Sequence, residues 1–524
     1  MNTGNQQPGR ALLLKALIAA LALYYIAAYI FLVVKRLPYP FELEWLEGYF
    51  VAAIQRVARG QTLYPAPNAE FVPFLYPPLY YWIAGGLAKL FEPGFAVARA
   101  LSVFSSFVSG AVIFLFVWRD SAGRFCALMA CGLFFACYGI TDFWYDVGRV
   151  DSLFVALCLT GLYLLRYRVG TAGGAASAAL VLALAFFTKQ SAIFFIIFGS
   201  LFVLRQSRKR FFVFSAASAL FVAGGTLLLS LATDGWYWFY TAVVPLKHYG
   251  LSPTAFDTSL AEMYRQYTPM ALQDYSSLKK LAGFFTNDLL RNIPLPAAVI
   301  AGWLCLRLRA RDRHDGTLFL GLALLAAMLA SISMRCKLGG HINGIMPTLA
   351  VAILFFGMVM GRLLQARGTG RLLRSVILIA LIAQFVLLKY NPFKHQPAPE
   401  DYRAGHRLIE TVATLPGLVY IPFHSWYPVM AGKKTFVHKM PIEDIYIGFP
   451  ERFPTALIEK ISAGRFGAII YDWEIRPESN NPIERAIGQA YRKERSIAYD
   501  APGALLPFSG LRVRPRVIYL PRKN

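Results

Sequence analysis

The sequence predicts a polytopic α-helical membrane protein of about 11 transmembrane helices, followed by a small C-terminal α/β domain outside the membrane. The chain has 524 residues, of which 57% are hydrophobic and 16% are charged. Soluble domains average about 25% charged residues, so this composition excludes one large water-soluble enzyme and a disordered chain. Apolar runs long enough to cross a bilayer recur through the first 390 residues, whereas the remainder is mixed in composition.

The apolar runs define the predicted spans. The first, at about residues 11–34, is long for a signal peptide, so it is predicted to stay as an uncleaved transmembrane helix. Further spans are predicted near residues 95–118, 125–141, 152–165, 175–188, 191–204, 211–232, 293–306, 317–334, 342–361 and 373–389. They delimit a transmembrane module at 1–390 with large loops at 35–94 and 233–292, and leave 391–524 as the α/β domain.

The charge pattern orients these spans. Lys and Arg gather in alternate loops, for example at residues 205–210 and 307–313, and the positive-inside rule assigns those loops to the cytoplasm. The same loops account for much of the net charge of +24, so no nucleic-acid partner is expected. The two large loops and the C-terminal domain then face the outer, periplasmic side of the cell inner membrane.

The C-terminal stretch has the pattern of a small mixed fold. Residues 417–423 and 465–472 are short apolar runs typical of buried strands, and residues 400–414 have the pattern of a helix. These segments predict an α/β domain.

Two carboxylates in the first large loop are the candidate catalytic residues. Glu44 and Glu47 in "FELEWLEGYF" are three residues apart, so on a helical turn they would share one face. Near a membrane boundary and beside aromatic rings, such carboxylates can have a raised pKa and act as a base. The alternative is a pair of solvated loop carboxylates.

The same loop continues with basic and aromatic residues. Arg56 is a candidate to meet a phosphate. Tyr76 and Tyr80, within "LYPPLYYW", are either part of an interfacial aromatic belt or a platform for a sugar or isoprenoid.

A second acidic motif, "TDFWYDVGRVDS", lies in the loop before the span at 152–165. Asp151 is placed to stabilise that helix's N-terminus, and Arg149 to pair with a carboxylate or with a ligand phosphate. Glu47 and Asp146 are candidate ligands for a divalent cation, Mg²⁺ or Mn²⁺, and the metal is left open.

Polar residues at the outer membrane edge form a third group. Cations there run against the charge rule, so they either snorkel to the interface or bind an anionic lipid headgroup. The start of a helix is also a natural phosphate site. The candidates are Lys189 and Gln190 in "FFTKQSA", and Arg335, Lys337, His341 and Asn343 in "MRCKLGGHINGIMP".

The order and common sidedness of these motifs over about residues 1–390 resemble the GT-C glycosyltransferases. The nearest likeness is to the aminoarabinose lipid A transferase and protein O-mannosyltransferase type, similar to glycosyltransferase family 39. The resemblance implies transfer of a hexose or pentose from a polyprenyl-phosphate donor, with inversion. It also implies a lipid- or polysaccharide-linked acceptor on the outer face of the membrane.

The resemblance carries over to single residues. The family's first-loop catalytic residue is usually Asp, often within an Asp-Glu pair, whereas here Leu46 is flanked by glutamates. The base is therefore Glu44 or Glu47, with Glu44 slightly ahead and Glu47 positioning the acceptor or a metal. Lys189 and residues 335–343 match the positions expected to meet the donor phosphate.

Three other classes of protein are alternatives. A transporter or lipid flippase predicts ionisable residues near the bilayer midplane. An enzyme of the O-antigen-ligase type would depend on Arg and His in the outer loops, such as His248. An assembly factor would use the acidic loops only to bind a partner.

Overall fold

The computed structural model describes residues 8–248, 277–309, 315–337, 339–366, 370–475, 479 and 481–522. Residues 249–276 of the predicted loop at 233–292, together with the side chain of His248, lie outside the described residues. Within them, seven helices are long and apolar enough to cross a membrane: Gly9–Arg36, Phe95–Asp120, Gly123–Thr141, Arg208–Leu231, Gly316–Arg335, Ile342–Gln365 and Leu372–Lys394. The helices Lys279–Leu290 and Pro294–Arg307 meet at 105° and make an eighth span if counted as one. The protein is therefore a multi-pass membrane protein.

The predicted number of about 11 spans is not confirmed, because several helices are short. The helices Asp151–Tyr167 and Ala172–Thr188 have 17 residues each, and Ile193–Gln206 has 14. A 17-residue helix is about 25 Å long, less than the roughly 30 Å of a bilayer's hydrocarbon core. Helices thus occupy every predicted position, but not all of them are long enough to span.

One helix forms the centre of the bundle. The helix Met346–Gln365 is buried at every position from Met346 to Gly361. Small residues let its neighbours approach, as is common between membrane helices. A Cβ added at Gly357 would lie 2.8 Å from the Cβ of Ala130 and 2.9 Å from Cγ2 of Val117. Only glycine therefore fits at this helix crossing.

A second apolar core lies beyond the bundle and is shared by two distant parts of the chain. The first loop, at 35–94, contributes Trp45 and Phe50, and the C-terminal region contributes Phe423 and Tyr471. The first loop contains the helices Glu47–Ala58 and Leu79–Leu87. The first loop and the C-terminal region consequently fold against each other.

The C-terminal region is mixed α/β. Its sheet has the order β1-β2-β4-β3, where β1 is Val419–Tyr420, β2 Ala468–Tyr471, β3 Tyr491–Ser496 and β4 Val517–Pro521. The β1–β2 pair is parallel and the other two pairs are antiparallel. The edge strand β3 exposes charged side chains, a common protection against pairing with other chains. Helices surround the sheet at Pro399–Thr414, Trp426–Met430, Lys439–Gly448, Thr455–Ser462 and Pro482–Ala490.

The strands predicted at 417–423 and 465–472 are present as β1 and β2, and the predicted helix at 400–414 is present as Pro399–Thr414. The other α-helical segments among the described residues either lie within the spans named above or connect them. They are Phe95–Val117, Gly123–Ala136, Arg208–Ala219, Gly225–Leu231, Trp236–Trp238, Val244–His248, Ser277–Gly283, Pro294–Arg309, Asp315–Arg335 and Arg371–Leu387.

Candidate active site

Glu44 lies in an extended segment between the first span and the helix Glu47–Ala58, and it is fully buried. Its Oε2 accepts hydrogen bonds from Nη1 of Arg149 at 2.8 Å and from the backbone N of Leu46 at 3.2 Å. Its Oε1 is buried without a partner among the described residues. Burial raises the pKa of Glu44 to about 7, although Arg149 opposes the rise. One carboxylate oxygen is thus free to accept a proton near neutral pH.

Glu47 has a different environment. Nε and Nη2 of Arg99 donate to its two carboxylate oxygens at 2.9 and 2.7 Å. The backbone N of Gly148 and that of Leu43 donate to the same two oxygens at 2.7 and 2.9 Å. The sequence predicts that the two glutamates share one face of a helix. The helix begins at Glu47 and Glu44 precedes it, so this prediction is wrong. Glu47 therefore links the first loop to Arg99 and to the backbone of Gly148.

Arg99 is the centre of that arrangement. Besides Glu47, its guanidinium donates to the backbone oxygens of Arg36, Tyr39 and Phe41 at 3.0, 2.5 and 2.5 Å. Sequence reasoning missed this residue. The available signal was an ionisable side chain within an apolar helix, Phe95–Val117, where such residues are rare.

Arg149 connects Glu44 to a group of aromatic rings. Its Nη2 lies 3.3 Å from the hydroxyl of Tyr76, and its guanidinium lies 4.6 Å from the ring centre of Phe50 and 5.3 Å from that of Trp144. Its Nε is buried without a hydrogen-bond partner in the part of the chain that the structure describes. The guanidinium therefore keeps one donor for a ligand.

A second ion pair lies beside the first. Nζ of Lys189 is 2.5 Å from Oδ1 of Asp151, and Nε1 of Trp144 donates to Oδ2 of Asp151 at 2.9 Å. Asp151 opens its helix as predicted, but its hydrogen bonds go to these side chains. The ammonium of Lys189 also lies 5.6 Å from the ring centre of Tyr76.

The pKa of Tyr76 reports the positive potential here. Burial raises the pKa of its hydroxyl, whereas the positive charges of Arg149, Lys189 and Lys337 lower it. The lowering is the larger effect, so the pKa of Tyr76 lies below its usual value. Lys337 is part-buried and forms no ion pair with the other described residues. The three cations therefore act on one point.

His341 lies next to the same group, beside Trp144. Its ring centre is 5.2 Å from that of Trp144, and its Nε2 is 3.7 Å from Oδ2 of Asp142. Its Nδ1 is buried without a partner among the described residues. Burial, followed by Arg335 and Arg149, lowers the pKa of His341 to about 3, so the imidazole is neutral at physiological pH.

These contacts define what we call the cationic cluster. It consists of Glu44, Tyr76, Trp144, Arg149, Asp151, Lys189, Lys337 and His341. Its three cations outnumber its two carboxylates, and it contains buried polar atoms on Glu44, Arg149 and His341 that have no hydrogen-bond partner within the described part of the chain. Such a group is suited to bind an anionic ligand such as a phosphate.

The other predicted substrate-binding residues have structural contacts elsewhere. Nε of Arg56 donates to the backbone O of Thr62 at 2.5 Å. The hydroxyl of Tyr80 donates to the backbone O of Ala98 at 2.8 Å. Gln190 donates from Nε2 to the backbone oxygens of Leu75 and Thr241, both at 2.8 Å.

Arg335 and Asn343 lie just beyond the cluster. Arg335 pairs with Asp288 at 2.8 Å and acts electrostatically on His341. Asn343 is buried in the short 3₁₀ turn Ile342–Ile345.

The proposed divalent-cation ligands do not fit a metal site. Glu47 is occupied by Arg99, and Asp146 pairs with Nε of Arg36 at 3.1 Å and accepts from the hydroxyl of Tyr138 at 2.6 Å. Throughout the described ranges, no group of three or more His, Cys, Asp or Glu side chains is arranged to hold a metal ion.

A further buried group joins the first loop to the C-terminal region. His424 contacts Glu42 through Nδ1 and Asp472 through Nε2, the latter at 2.9 Å. Burial lowers the pKa of His424, but the two carboxylates raise it more, to about 10. Glu42 and His424 are 382 residues apart, and no local pattern in the sequence indicates their contact.

Comparisons with known proteins agree with this fold. Residues 74–333, close to half of the chain, match the family model of glycosyltransferase family 87. Among solved structures, ArnT from Cupriavidus metallidurans bound to undecaprenyl phosphate has a TM-score of 0.54 at 13% identity, covering 96% of this chain and 97% of that one. The same protein in the apo state has a TM-score of 0.55 at 15% identity, with the same coverage.

An archaeal structure is also similar. The Archaeoglobus fulgidus oligosaccharyltransferase tethered with an acceptor peptide has a TM-score of 0.51 at 12% identity, covering 88% of this chain and 69% of that one. No curated protein sequence matches. The resemblance drawn from the motif order is confirmed at the level of the fold and the general enzyme class. The family model that matches is family 87, whereas the motifs pointed to family 39.

Proposed function

We propose that this chain, a membrane glycosyltransferase of the GT-C fold, transfers a sugar from a polyprenyl-phosphate donor to an acceptor hydroxyl, with inversion at the anomeric carbon. The reaction takes place on the outer face of the cytoplasmic membrane. The observation that carries the proposal is the buried Glu44, with one unpartnered oxygen, beside a surplus of cations. Undecaprenyl phosphate bound to ArnT supports a donor of this lipid class.

Glu44 acts as the general base. Its Oε1 takes the proton of the acceptor hydroxyl while that oxygen forms a bond to the anomeric carbon. The bond between the anomeric carbon and the phosphate oxygen breaks, and the lipid phosphate leaves with the electron pair. A base whose pKa is about 7 is suited to this step near neutral pH.

The cations stabilise the departing phosphate. Lys189 and Lys337 supply ammonium groups, and Arg149 has its unpartnered Nε. Donors fixed in advance around developing charge are worth about 10²–10³-fold each in kcat in other enzymes. The hydroxyl of Tyr76, with its lowered pKa, is a further donor to the phosphate.

Glu47 and Asp146 position the loops, since arginines already occupy their carboxylates. The match to a glycosyltransferase family favours this chemistry over a transporter, a flippase or an assembly factor. Dependence on a divalent cation is tested by adding a chelator to the assay described next.

The test uses the purified full chain in lipid nanodiscs. A panel of undecaprenyl-phosphate sugars is the donor, an extract of envelope lipids and polysaccharides is the acceptor, and released undecaprenyl phosphate is measured. We expect release by the wild type and its loss in Glu44→Gln. The control Glu70→Gln changes an exposed glutamate of the same loop and should retain activity. Wild-type turnover in Glu44→Gln would refute the assignment of the base.

A further inference from the structure

We infer that residues 508–510, near the end of the C-terminal region, are part of the active site and position Glu44. We call these residues the C-terminal clamp. The inference rests on the proposed function, in which Glu44 is the base. It assigns a role to the C-terminal region that goes beyond the reaction itself.

The clamp holds the backbone at Glu44. The backbone N of Phe508 and that of Ser509 both donate to the backbone O of Leu43, at 2.9 Å each. Glu44 and Ser509 also form an isolated parallel β-bridge. The backbone on the N-terminal side of the Glu44 carboxylate is therefore fixed by a segment from the other end of the chain.

The clamp also binds the loop that carries Trp144. The hydroxyl of Ser509 donates to the backbone O of Phe143 at 3.2 Å, and the backbone N of Gly510 donates to Oδ2 of Asp142 at 2.6 Å. Asp142 and Phe143 both have a φ of 56°, a conformation that is uncommon for residues other than glycine. Such a conformation persists where surrounding contacts hold it, and the clamp supplies two of them.

Gly510 leaves space for the reactive oxygen. Its φ is +71°, and a Cβ at this position would lie 3.0 Å from both Cγ and Oε1 of Glu44. Oε1 is the oxygen that has no hydrogen-bond partner among the described residues. Any side chain at position 510 would therefore displace the Glu44 carboxylate or cover the oxygen that accepts the proton.

A second attachment holds the same segment one residue further toward the N-terminus. Glu42, two residues before Glu44, contacts His424, and its backbone N lies 3.5 Å from the hydroxyl of Tyr427. His424 and Tyr427 stack with their planes 5° apart. The C-terminal region thus fixes the Glu44 segment at two successive residues, Glu42 and Leu43, that directly precede the carboxylate.

The experiment compares Gly510→Ala with Gly432→Ala in the full chain. Gly432 has nearly the same backbone conformation, φ +72°, but a Cβ there meets nothing within 4 Å. Both changes strain the backbone, and only the first reaches Glu44. We expect kcat to fall about 100-fold in Gly510→Ala, the cost of a roughly 1 Å misplacement of a reacting group. The KM for the donor should stay near the wild-type value, because the cations are untouched.

The pH profile separates positioning from stability. In Gly510→Ala the acidic limb of the kcat/KM profile should move from its wild-type midpoint, whereas Gly432→Ala should keep that midpoint. Ser509→Ala is the milder variant, which loses the side-chain hydrogen bonds to Arg36 and Phe143, and it should lower kcat without changing KM.

Two results would overturn the inference. One is a wild-type kcat and pH profile in both Gly510→Ala and Ser509→Ala while Glu44→Gln is inactive, which leaves the proposed function intact. The other is an equal loss of activity in Gly432→Ala and Gly510→Ala, which assigns the effect to backbone strain. Activity in Glu44→Gln would instead refute the base itself.

Discussion

The pairs Glu44–Arg149 and Glu47–Arg99 join the same two chemical groups, three residues apart, and both are buried. They differ in how many acceptor positions of the carboxylate are occupied. Glu47 accepts four hydrogen bonds, two from Arg99 and two from backbone N–H groups. Glu44 accepts two, both at Oε2, and its Oε1 is without a partner among the described residues.

Under the proposed function, this difference distinguishes a structural carboxylate from the one that acts as the base. An ionised carboxylate has about four acceptor positions, so Glu47 is saturated whereas Glu44 can still bind a proton or a ligand. An ion pair in the sequence or in the structure is therefore not enough to identify the base. What distinguishes the two glutamates is the number of acceptor positions on each carboxylate that are still unoccupied.

The largest expected effect comes from removing the reactive member. Glu44→Gln keeps the size of the side chain and a hydrogen-bonding oxygen for Arg149, but it cannot take up a proton. We expect transfer to fall by about 10²–10⁴-fold, the usual contribution of a general base. Thermal unfolding of the detergent-solubilised protein should change little. A large drop in Tm would place Glu44 in the same structural class as Glu47.

Breaking the Glu47–Arg99 pair should mainly lower the stability of the protein. Arg99→Met leaves Glu47 as a buried carboxylate without its guanidinium, which typically costs about 3–5 kcal/mol of stability. The expected result is a clearly lower Tm and poor recovery after purification. Arg59→Met, a change at an exposed arginine of the same loop, is the control and should unfold like the wild type. Equal stability of both variants would contradict the structural role of the pair.

The cations of the cluster allow a finer comparison. Lys189→Met removes a proposed phosphate ligand and leaves Asp151 without its ammonium partner, so both activity and Tm should fall. Lys337→Met removes a cation with no ion-pair partner among the described residues, so activity alone should fall. We expect kcat losses of about 10²-fold in each, measured by release of undecaprenyl phosphate. A loss of Tm in Lys337→Met would show that Lys337 supports the fold.

The smallest effect is a dependence on pH. The pKa of Glu44 is raised to about 7, so kcat/KM should increase as pH rises through about 7 and then level off, because only the ionised carboxylate is a base. Burial makes the ionised form costly. Stability contributed by the protonated form is therefore present at low pH and lost as pH rises toward 7. The Tm of Glu44→Gln relative to that of the wild type should thus be slightly higher at pH 8 than at pH 5.

Local features of the structure were predictable from the sequence. The positions of the apolar helices follow from apolar runs, and β1, β2 and the helix Pro399–Thr414 follow from hydrophobic patterning. The cationic cluster was also accessible in part, because unusual charges at one membrane edge mark its members. Arg149 and Lys189 are examples, and the structure brings both beside Glu44 or Asp151.

The pairings themselves were not predictable. Glu44 and Glu47 look equivalent in the sequence, and which of them is saturated depends on Arg99 and Gly148, which come from other elements. The short span Asp151–Tyr167 has an apolar pattern but not the length of a full crossing. The contact between Glu42 and His424 is a property of the folded chain alone.

Because the first loop and the C-terminal region share one core, the first loop can complete its packing only after the C-terminal region has been synthesised. Translation delivers Glu44 before most of the membrane helices, and its partners at 508–510 follow all of the predicted spans. Until then the loop lacks the apolar side chains that the C-terminal region contributes to the shared core. If the clamp positions Glu44 as we propose, a product that terminates before residue 508 should lack activity even where its membrane helices are complete.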